Sequence, residues 1–360
     1  MNKKILAVAV AAAMAVPLAA SADEGNVTIY GQANVSVDFI DNDTDTTDNV
    51  SSNQSVFGIQ GSEPLGNGLN AVFHWDVFAG VDDGVEDVTG GTPSSFFGAS
   101  RDSWVGLSGG FGTVALGAQG RPWKTATNNV DFFVNTIADY AGIIGTVSNV
   151  AIGTNGVAHD TGIGNSIIWF GPNINGFSWH AQYGADEDDD GNREYGLQGN
   201  YTNGPLYATL AYDMQEGALA GEDVEAWKAS LSYTFIEALT VSGIYDHISD
   251  DAGGVAERDA WYLGAAYKFG NNALKAAYAT ADDVDAGDDT GADYYALGLY
   301  HTFSKRTEVY ALYAKVNNDD LATYGLGFPN ATSAASSGAS APAFGGDDVS
   351  AFSIGLHHNF

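Results

Sequence analysis

One device recurs along this sequence: a segment of about ten residues in which small or apolar side chains alternate with polar ones. Residues 27–39, VTIYGQANVSVDF, show it most clearly. The small or apolar positions there are Val27, Ile29, Gly31, Ala33, Val35, Val37 and Phe39. A period of two is typical of a β-strand. Sixteen such segments can be marked up to the C terminus, and sustained helical periodicity is absent. The sequence therefore predicts an all-β fold of sixteen strands.

The connections between the predicted strands alternate in length and charge. Turns after even-numbered strands are tight and rich in Gly, Asn or Pro, whereas loops after odd-numbered strands are long and acidic, as at 185–192 and 282–292. Ten residues suit a tilted strand that crosses a bilayer. An open sheet of this width would expose two edges, and closure removes them. The pattern predicts a transmembrane antiparallel β-barrel of sixteen strands, with short periplasmic turns and long extracellular loops.

A soluble β-sandwich or a solenoid is the alternative. A sandwich would bury its apolar alternation, and a solenoid would show a fixed repeat length that this sequence lacks. Aromatic residues and a few cations instead cluster beside the predicted short turns, as an interfacial girdle requires. These residues are Tyr201, Tyr207, Tyr233, Phe235, Tyr267, Phe269, Tyr300 and Phe303, with Lys268, Lys275, Lys305 and Arg306. Their position favours the membrane barrel.

Residues 1–22 have the layout of a secretory signal peptide, with two lysines, a short apolar run and a small-x-small cleavage site. The barrel is then expected to occupy residues 23–360. Without the leader the chain has 11 basic and 45 acidic side chains, a formal charge of −34, which excludes nucleic acid as a partner. Cysteine is absent, so no disulfide can form.

The C-terminal segment 349–360 alternates up to its last residue. Phe352, Ile354, Leu356, His358 and Phe360 share one side. A terminal strand that closes a ring cannot fray, so this segment is expected to pair with residues 27–39. His358 is expected at the interface, where its ring can reach water.

The chain resembles the general porins of the Gram-negative outer membrane. The resemblance rests on VTIYGQANV, SVFGIQG, RDSWVGLSGGFGTVALG, NSIIWFGPNINGFSWHAQYG, LGAAYKFG, SKRTEVYALYAKV and the C-terminal Phe, in this order. It implies a sixteen-stranded outer-membrane homotrimer for passive diffusion of small hydrophilic solutes. It also implies that Phe360 is read by the barrel-assembly machinery, and that the third loop folds into the lumen and sets its narrowest point.

That third loop is the connection at residues 119–164. Its apolar content suits a packed loop better than a disordered one. The resemblance implies that acidic residues on this loop, here Asp131 and Asp139, face arginines on the opposite wall. Arg101 matches one of those arginines, and Arg121 and Lys124 are the nearest substitutes for others. At three further positions the porins that this chain resembles commonly have Arg, and this chain has Val56, Ala118 and Gly162. We therefore expect a preference for cations. The alternative for Arg101 is a structural ion pair, for instance with Asp102.

No cofactor is expected, and weak binding of Ca²⁺ or Mg²⁺ at the acidic loops is the most that composition suggests. Residues 186–197 resemble an EF-hand loop but end in Leu197, where a bidentate Glu is needed. Divalent ions could instead bridge acidic loops to lipopolysaccharide. A substrate-specific channel, for instance for sugars, is the alternative function. An enzyme on a barrel is less favoured, because the seven histidines are scattered and no GxSxG or HExxH motif occurs.

Overall fold

The computed structural model describes residues 25–82, 97–147, 158–186, 193–219, 221–327, 342 and 344–360. The predicted signal peptide lies outside these residues. The strands are β1 (Asn26–Asp41), β2 (Thr46–Ser52), β3 (Val56–Gly66), β4 (Leu69–Ala79), β5 (Phe97–Gly109), β6 (Gly112–Gly120), β7 (Gly162–Phe170), β8 (Phe177–Gly184), β9 (Glu194–Asn203), β10 (Leu206–Leu219), β11 (Glu222–Ile236), β12 (Leu239–Asp250), β13 (Arg258–Phe269), β14 (Asn272–Ala281), β15 (Ala292–Ser304), β16 (Thr307–Asn318) and β17 (Val349–Asn359). Helix α1 (Pro122–Thr125) and a 3₁₀ turn (Tyr140–Gly142) lie between β6 and β7. Among the described residues, no helix is both long enough and apolar enough to cross a membrane.

All the strands belong to one closed antiparallel sheet. Successive strands pair in chain order, and β17 returns to pair with β1 from Gln32↔Asn359 to Asp41↔Ser350. Strands β2 and β3 both pair with β1, one after the other, and residues 53–55 between them introduce a one-residue bulge. Strands β2 and β3 therefore form a single strand of the barrel, interrupted by the bulge. The predicted barrel of sixteen strands is confirmed.

The loops differ from the sequence prediction in two places. The acidic stretch 41–49 is predicted as the first long loop, but residues 46–52 form β2, whose hydrogen bonds extend the β1 hairpin. Its sequence, TTDNVSS, carries no continuous apolar face, so its periodicity gave no signal. The connection between β10 and β11 is only residues 220–221, because both strands run long. The predicted short turns, such as residues 67–68 and 270–271, are present.

The alternation separates the two faces of the wall as predicted. On β17, Phe352, Ile354 and Leu356 are 44–50% exposed and point outward, while Ala351 and Ser353 point inward and are buried. Similar outward apolar side chains recur on the other strands, including Leu210, Leu231, Leu263 and Leu297. An apolar outer face is what hydrocarbon requires, and it leaves polar side chains for the interior.

The aromatic girdle is only partly as expected. Tyr233, Phe235, Tyr267, Phe269 and Phe303 are exposed on the outer face near the short turns. In contrast, Tyr300 and Lys275 point into the barrel, where the ammonium lies 3.5 Å from the centre of the Tyr300 ring. Tyr207 also points inward and donates a hydrogen bond to the Ala126 carbonyl. For these three residues the girdle assignment was wrong, because it used nearness to the turn and not strand parity.

The seam between the two ends of the chain is closed by close packing at Gly31. The Phe360 amide donates to the Gly31 carbonyl at 3.0 Å, and the Phe360 ring lies over the glycine. A Cβ on Gly31 would stand 2.4 Å from the Val56 carbonyl oxygen and 2.5 Å from the Phe360 ring. His358 lies exposed in the same region and hydrogen-bonds through Nδ1 to the Thr307 hydroxyl at 2.9 Å.

We predict that Gly31→Ala destabilises the barrel at this seam. The added methyl group must displace the Val56 backbone as well as a flexible ring, and overpacking of this kind costs about 1–3 kcal/mol. The measurement is the midpoint of urea unfolding in detergent, followed by tryptophan fluorescence. Gly199→Ala is the control, because Gly199 is likewise a strand glycine, is exposed, and a Cβ there meets nothing within 4 Å. Equal midpoints for the two variants would contradict the prediction.

Candidate functional site

The third loop, residues 121–161, enters the barrel and packs against its inner wall. Of its described residues, 121–147 and 158–161, the large apolar side chains are mostly buried. They include Trp123, Val130, Phe133, Ile137, Tyr140, Ile143 and Ile144. These side chains join inward-facing residues of the wall, among them Ile244, Tyr262 and Tyr294, in one apolar cluster. The interior therefore contains a packed core on one side.

Inward side chains of β10 to β15 hold the loop by its backbone carbonyls. Ser242 donates to Val130 O at 2.7 Å, Arg258 to Ile143 O at 2.7 Å, and Lys275 to Phe132 O at 2.9 Å. Tyr294 on β15 donates to the Ala138 carbonyl. In return, the Gly145 amide donates to Asp246 at 2.9 Å. Buried carbonyls of an irregular loop need such partners, so these contacts fix the loop's path.

The root of the loop is fixed by a buried ion-pair cluster. Arg121 lies 2.5 Å from Glu194 Oε1 and 3.2 Å from Asp213 Oδ2, and it is almost fully buried. His159, near the other end of the loop, contacts the same Asp213 oxygen at 2.7 Å. Thus Asp213 links both ends of the loop to β10. Arg121, which sequence reasoning placed at the constriction, is an anchor of the loop.

Asp131 and Asp139 are also buried within the packed loop. Asp131 accepts hydrogen bonds from the Phe133 amide and the Tyr262 hydroxyl at 3.0 Å. Asp139 accepts from the amides of Asn135 and Ala141 at 2.8 and 3.0 Å and so caps the 3₁₀ turn. Burial raises the pKa of Asp131 to about 6, and burial near Asp131 raises the pKa of Asp139 well above its usual range. Both side chains fix the local conformation of the loop through these hydrogen bonds.

Arg101 and Lys124 remain accessible. Lys124 lies on α1, is about one-fifth exposed, and pairs with Asp160 at 3.1 Å. Arg101 lies on β5, half-buried, with its guanidinium 5.8 Å from the centre of the Phe78 ring. The exposed face of the loop carries Asn128, Asn129 and Val134, none of which is charged. The structure therefore places two of the five predicted constriction residues where solvent reaches them.

The loop leaves most of the opposite wall, formed by β1 and β3 to β6, uncovered and contacts it at Asn34 of β1, which donates to the Asn135 carbonyl. Its inward side chains include Gln60, which is exposed, and Tyr30, His74 and Trp104, which are half-buried. Solvent therefore has access along this side of the interior. Sequence reasoning passed over these residues. The available signal was the pair His74 and Asp76, separated by one residue and so on the same face of a predicted strand.

A β-bulge shapes this wall beside Arg101. The register between β4 and β5 shifts from Trp75↔Ser103 to Val77↔Ser100, so Arg101 and Asp102 both lie opposite Asp76. A bulge redirects a side chain that regular pairing would place elsewhere. The Asp102 carboxylate accepts from the Gly120 amide at 2.8 Å, where the third loop leaves the wall. This polar wall therefore lies beside the root of the loop.

A sheet of this kind, with an inward loop against a polar wall, can be compared with known families. The family model described as Gram-negative porin matches residues 7–321. The chain belongs to the Gram-negative porin family. Like the porins that it resembles, it is an outer-membrane protein. The relatives described in the next paragraph include porins, and a porin's function agrees with an interior that solvent can enter on one side.

Two relatives illustrate the extent of the similarity to known porins. Outer membrane porin protein 32 of Delftia acidovorans is 30% identical, over 91% of this chain and 92% of the relative. Major outer membrane protein P.IB of Neisseria gonorrhoeae is 28% identical, over 85% of this chain and 91% of the relative. Among solved structures, an anion-selective porin from Comamonas acidovorans superimposes with a TM-score of 0.75 at 27% identity, covering 94% of this chain and all of the other.

We predict that the packing of the porin's third loop weakens as pH rises from about 4 to 6. In that window an unfolded loop has released the Asp131 proton while the packed loop still holds it, so the packed state loses stability as pH rises. Hydrogen–deuterium exchange of residues 130–147, corrected for intrinsic rates, measures this. Protection should be lower at pH 7 than at pH 4.5.

Asp131→Asn should weaken that pH dependence, because the amide does not titrate. The control is Asp45→Asn in the first extracellular loop, where the carboxylate is exposed. The control should behave like the parent chain. Protection that increases from pH 4.5 to 7, or an unchanged dependence in Asp131→Asn, would contradict the assignment.

Proposed function

We propose that the protein is a channel for passive diffusion of small hydrophilic solutes and ions across the outer membrane. The observation that carries this proposal is the asymmetry of the interior. The third loop covers the inner faces of β10 to β15, whereas polar side chains such as Gln60 stay accessible on the uncovered wall. A polar, water-accessible path inside a closed barrel lets solutes cross without entering hydrocarbon.

The expected preference for cations is not part of this proposal. It depended on Asp131 and Asp139 facing the pore, and both carboxylates are buried in the loop. The solved porin from Comamonas acidovorans is described as anion-selective. We propose a weakly selective channel, in which Arg101 and Lys124 favour anions and Asp102 and the acidic loops favour cations. Screening over about 8 Å limits the loops to the mouth of the pore.

Arg101→Gln should shift the permeability ratio toward K⁺ over Cl⁻. The reason is the loss of one positive charge beside the path, and one charge at about 4 Å in water contributes about 1 kcal/mol, or up to about a fivefold change. The measurement is the reversal potential in a planar bilayer under a KCl gradient. Arg306→Gln is the control, since Arg306 is exposed in the turn between β15 and β16. A shift toward Cl⁻, or an equal shift in the control, would contradict the role of Arg101.

A substrate-specific channel is the second candidate, and one observation favours it. Aromatic rings follow each other around the inner face from β1 to β8: Tyr30 to His74 at 5.5 Å, His74 to Trp104 at 5.4 Å, Trp104 to Phe170 at 5.7 Å, and Phe170 to His180 at 4.7 Å. A sugar ring can stack on such faces. However, the row runs around the wall from strand to strand, which offers a translocating sugar few successive contacts along the pore.

Liposome swelling with sugars of graded size distinguishes the two candidates. We expect rates that fall with solute size and rise linearly with concentration. Rates that saturate, or that differ strongly between sugars of equal size, would favour the specific channel.

We also propose that the channel is a homotrimer, that Phe360 is recognised by the barrel-assembly machinery, and that divalent ions bridge the acidic loops to lipopolysaccharide. Support comes from the family, from a solved outer-membrane protein of Vibrio cholerae described as a trimer form, which is 20% identical, and from the exposed Phe360 ring at the seam. The EF-hand-like stretch falls mainly on residues 187–192, which lie outside the described part of the chain. No enzymatic role is proposed.

A further inference from the structure

Three potential metal ligands converge on the uncovered wall of the lumen. One atom each from His74, Asp76 and Asp102 lies within 4.8 Å of both others. His74 and Asp76 are separated by one residue on β4, and the register that pairs Trp75 with Ser103 continues to place Asp102 opposite Asp76. The bulge adds Arg101 opposite the same Asp76. The pairing of β4 with β5 therefore assembles the cluster.

The three side chains are already oriented by neighbours. The His74 ring stacks on Trp104, with the ring centres 5.4 Å apart and the planes 8° from parallel. The Asp102 amide donates to Asp76 Oδ1 at 2.8 Å, and the Gly120 amide donates to Asp102 Oδ1 at 2.8 Å. Thus one oxygen of each carboxylate accepts a hydrogen bond from a backbone amide. Supporting hydrogen bonds of this kind orient metal ligands and raise their affinity for the ion.

The donor set selects a class of ion. One imidazole nitrogen and two carboxylate oxygens suit Zn²⁺ and similar divalent transition metals, whereas Ca²⁺ and Mg²⁺ prefer oxygen alone. His74 Nε2 and Asp76 Oδ2 are 3.5 Å apart, and two ligands of a tetrahedral zinc ion are about 3.3 Å apart. The Tyr30 hydroxyl lies 2.8 Å from His74 Nε2, so a bound ion would either displace this hydroxyl or take it as a further ligand.

We propose that His74, Asp76 and Asp102 form a binding site for a divalent transition-metal ion, best satisfied by Zn²⁺, in the wall of the lumen beside the root of the third loop. Two carboxylates carry a charge that the ion neutralises, although Arg101 opposes Asp76 from the same bulge. Binding therefore changes the charge balance beside the pore. The proposal goes beyond passive diffusion and does not depend on it, because a barrel that conducts nothing could still bind the ion.

Isothermal titration calorimetry of the folded full chain in detergent with ZnCl₂ tests the site. The buffer contains CaCl₂ in large excess over protein, so that Ca²⁺ occupies the oxygen ligands of the acidic loops. We expect one saturable Zn²⁺ site per chain. In His74→Gln the dissociation constant should rise at least about tenfold, because removal of even an outer-shell partner of a metal ligand typically costs 10–100-fold.

His247→Gln is the matched control. His247 also contacts a carboxylate, Asp259, at 2.8 Å, but among the described residues the three-ligand grouping occurs only at His74. The control should bind Zn²⁺ like the parent chain, and circular dichroism should show folded barrels in all samples. Asp102→Asn gives a second test that leaves β4 unchanged. Absence of saturable binding, or equal affinity in His74→Gln and the parent, would overturn the proposal.

Channel recordings separate this proposal from the proposed function. If the parent chain conducts, Zn²⁺ added at concentrations that saturate the site should shift its reversal potential toward Cl⁻, and His74→Gln should abolish the shift. A shift that persists in His74→Gln would overturn the site. If the chain does not conduct but binds Zn²⁺ through His74, the channel function fails and the metal site stands.

Discussion

Closure of the sheet is the constraint on which everything else in this molecule depends. Hydrocarbon offers no partner for a backbone N–H or C=O, so a spanning sheet must pair every strand on both sides. Here the pairing of β17 with β1 removes the last free edges, and the glycine at position 31 lets the terminal Phe360 lie across the junction. The apolar outer face and polar inner face follow, because closure gives each strand one lipid side and one inner side.

A closed interior must then be divided between packing and water. The third loop does this by covering one half of the wall with buried apolar side chains and by using wall side chains to satisfy its carbonyls. The charged residues at the two ends of the loop are paired, as Arg121 is with Asp213. Removal of one member of such a buried ion pair typically costs about 3–5 kcal/mol. The other half of the wall keeps its accessible polar groups. That half carries the proposed path, the beginning of the row of rings at Tyr30, His74 and Trp104, and the proposed metal site.

Much of the fold could be predicted because its signal is local. Strand parity and turn residues depend on neighbours in sequence, so the strand number, the short turns and the seam were predicted correctly. Strand β2 was missed because it has no apolar face, which periodicity requires. Tyr207, Tyr300 and Lys275 were assigned to the outer surface although strand parity, applied residue by residue, places them inside.

The sequence by itself determined a barrel with one lipid-facing side and a long third loop rich in apolar residues, because period-two alternation and composition are properties of adjacent residues. Only the tertiary structure decided whether each charged side chain faces the pore or is buried. Asp131, Asp139 and Arg121 were identified as the charged groups of the loop region, but their burial depends on partners such as Tyr262 and Asp213, more than 80 residues away. Asp102 meets His74 and Asp76 only through the register between β4 and β5, and the register is a property of the pair of strands, not of either strand alone.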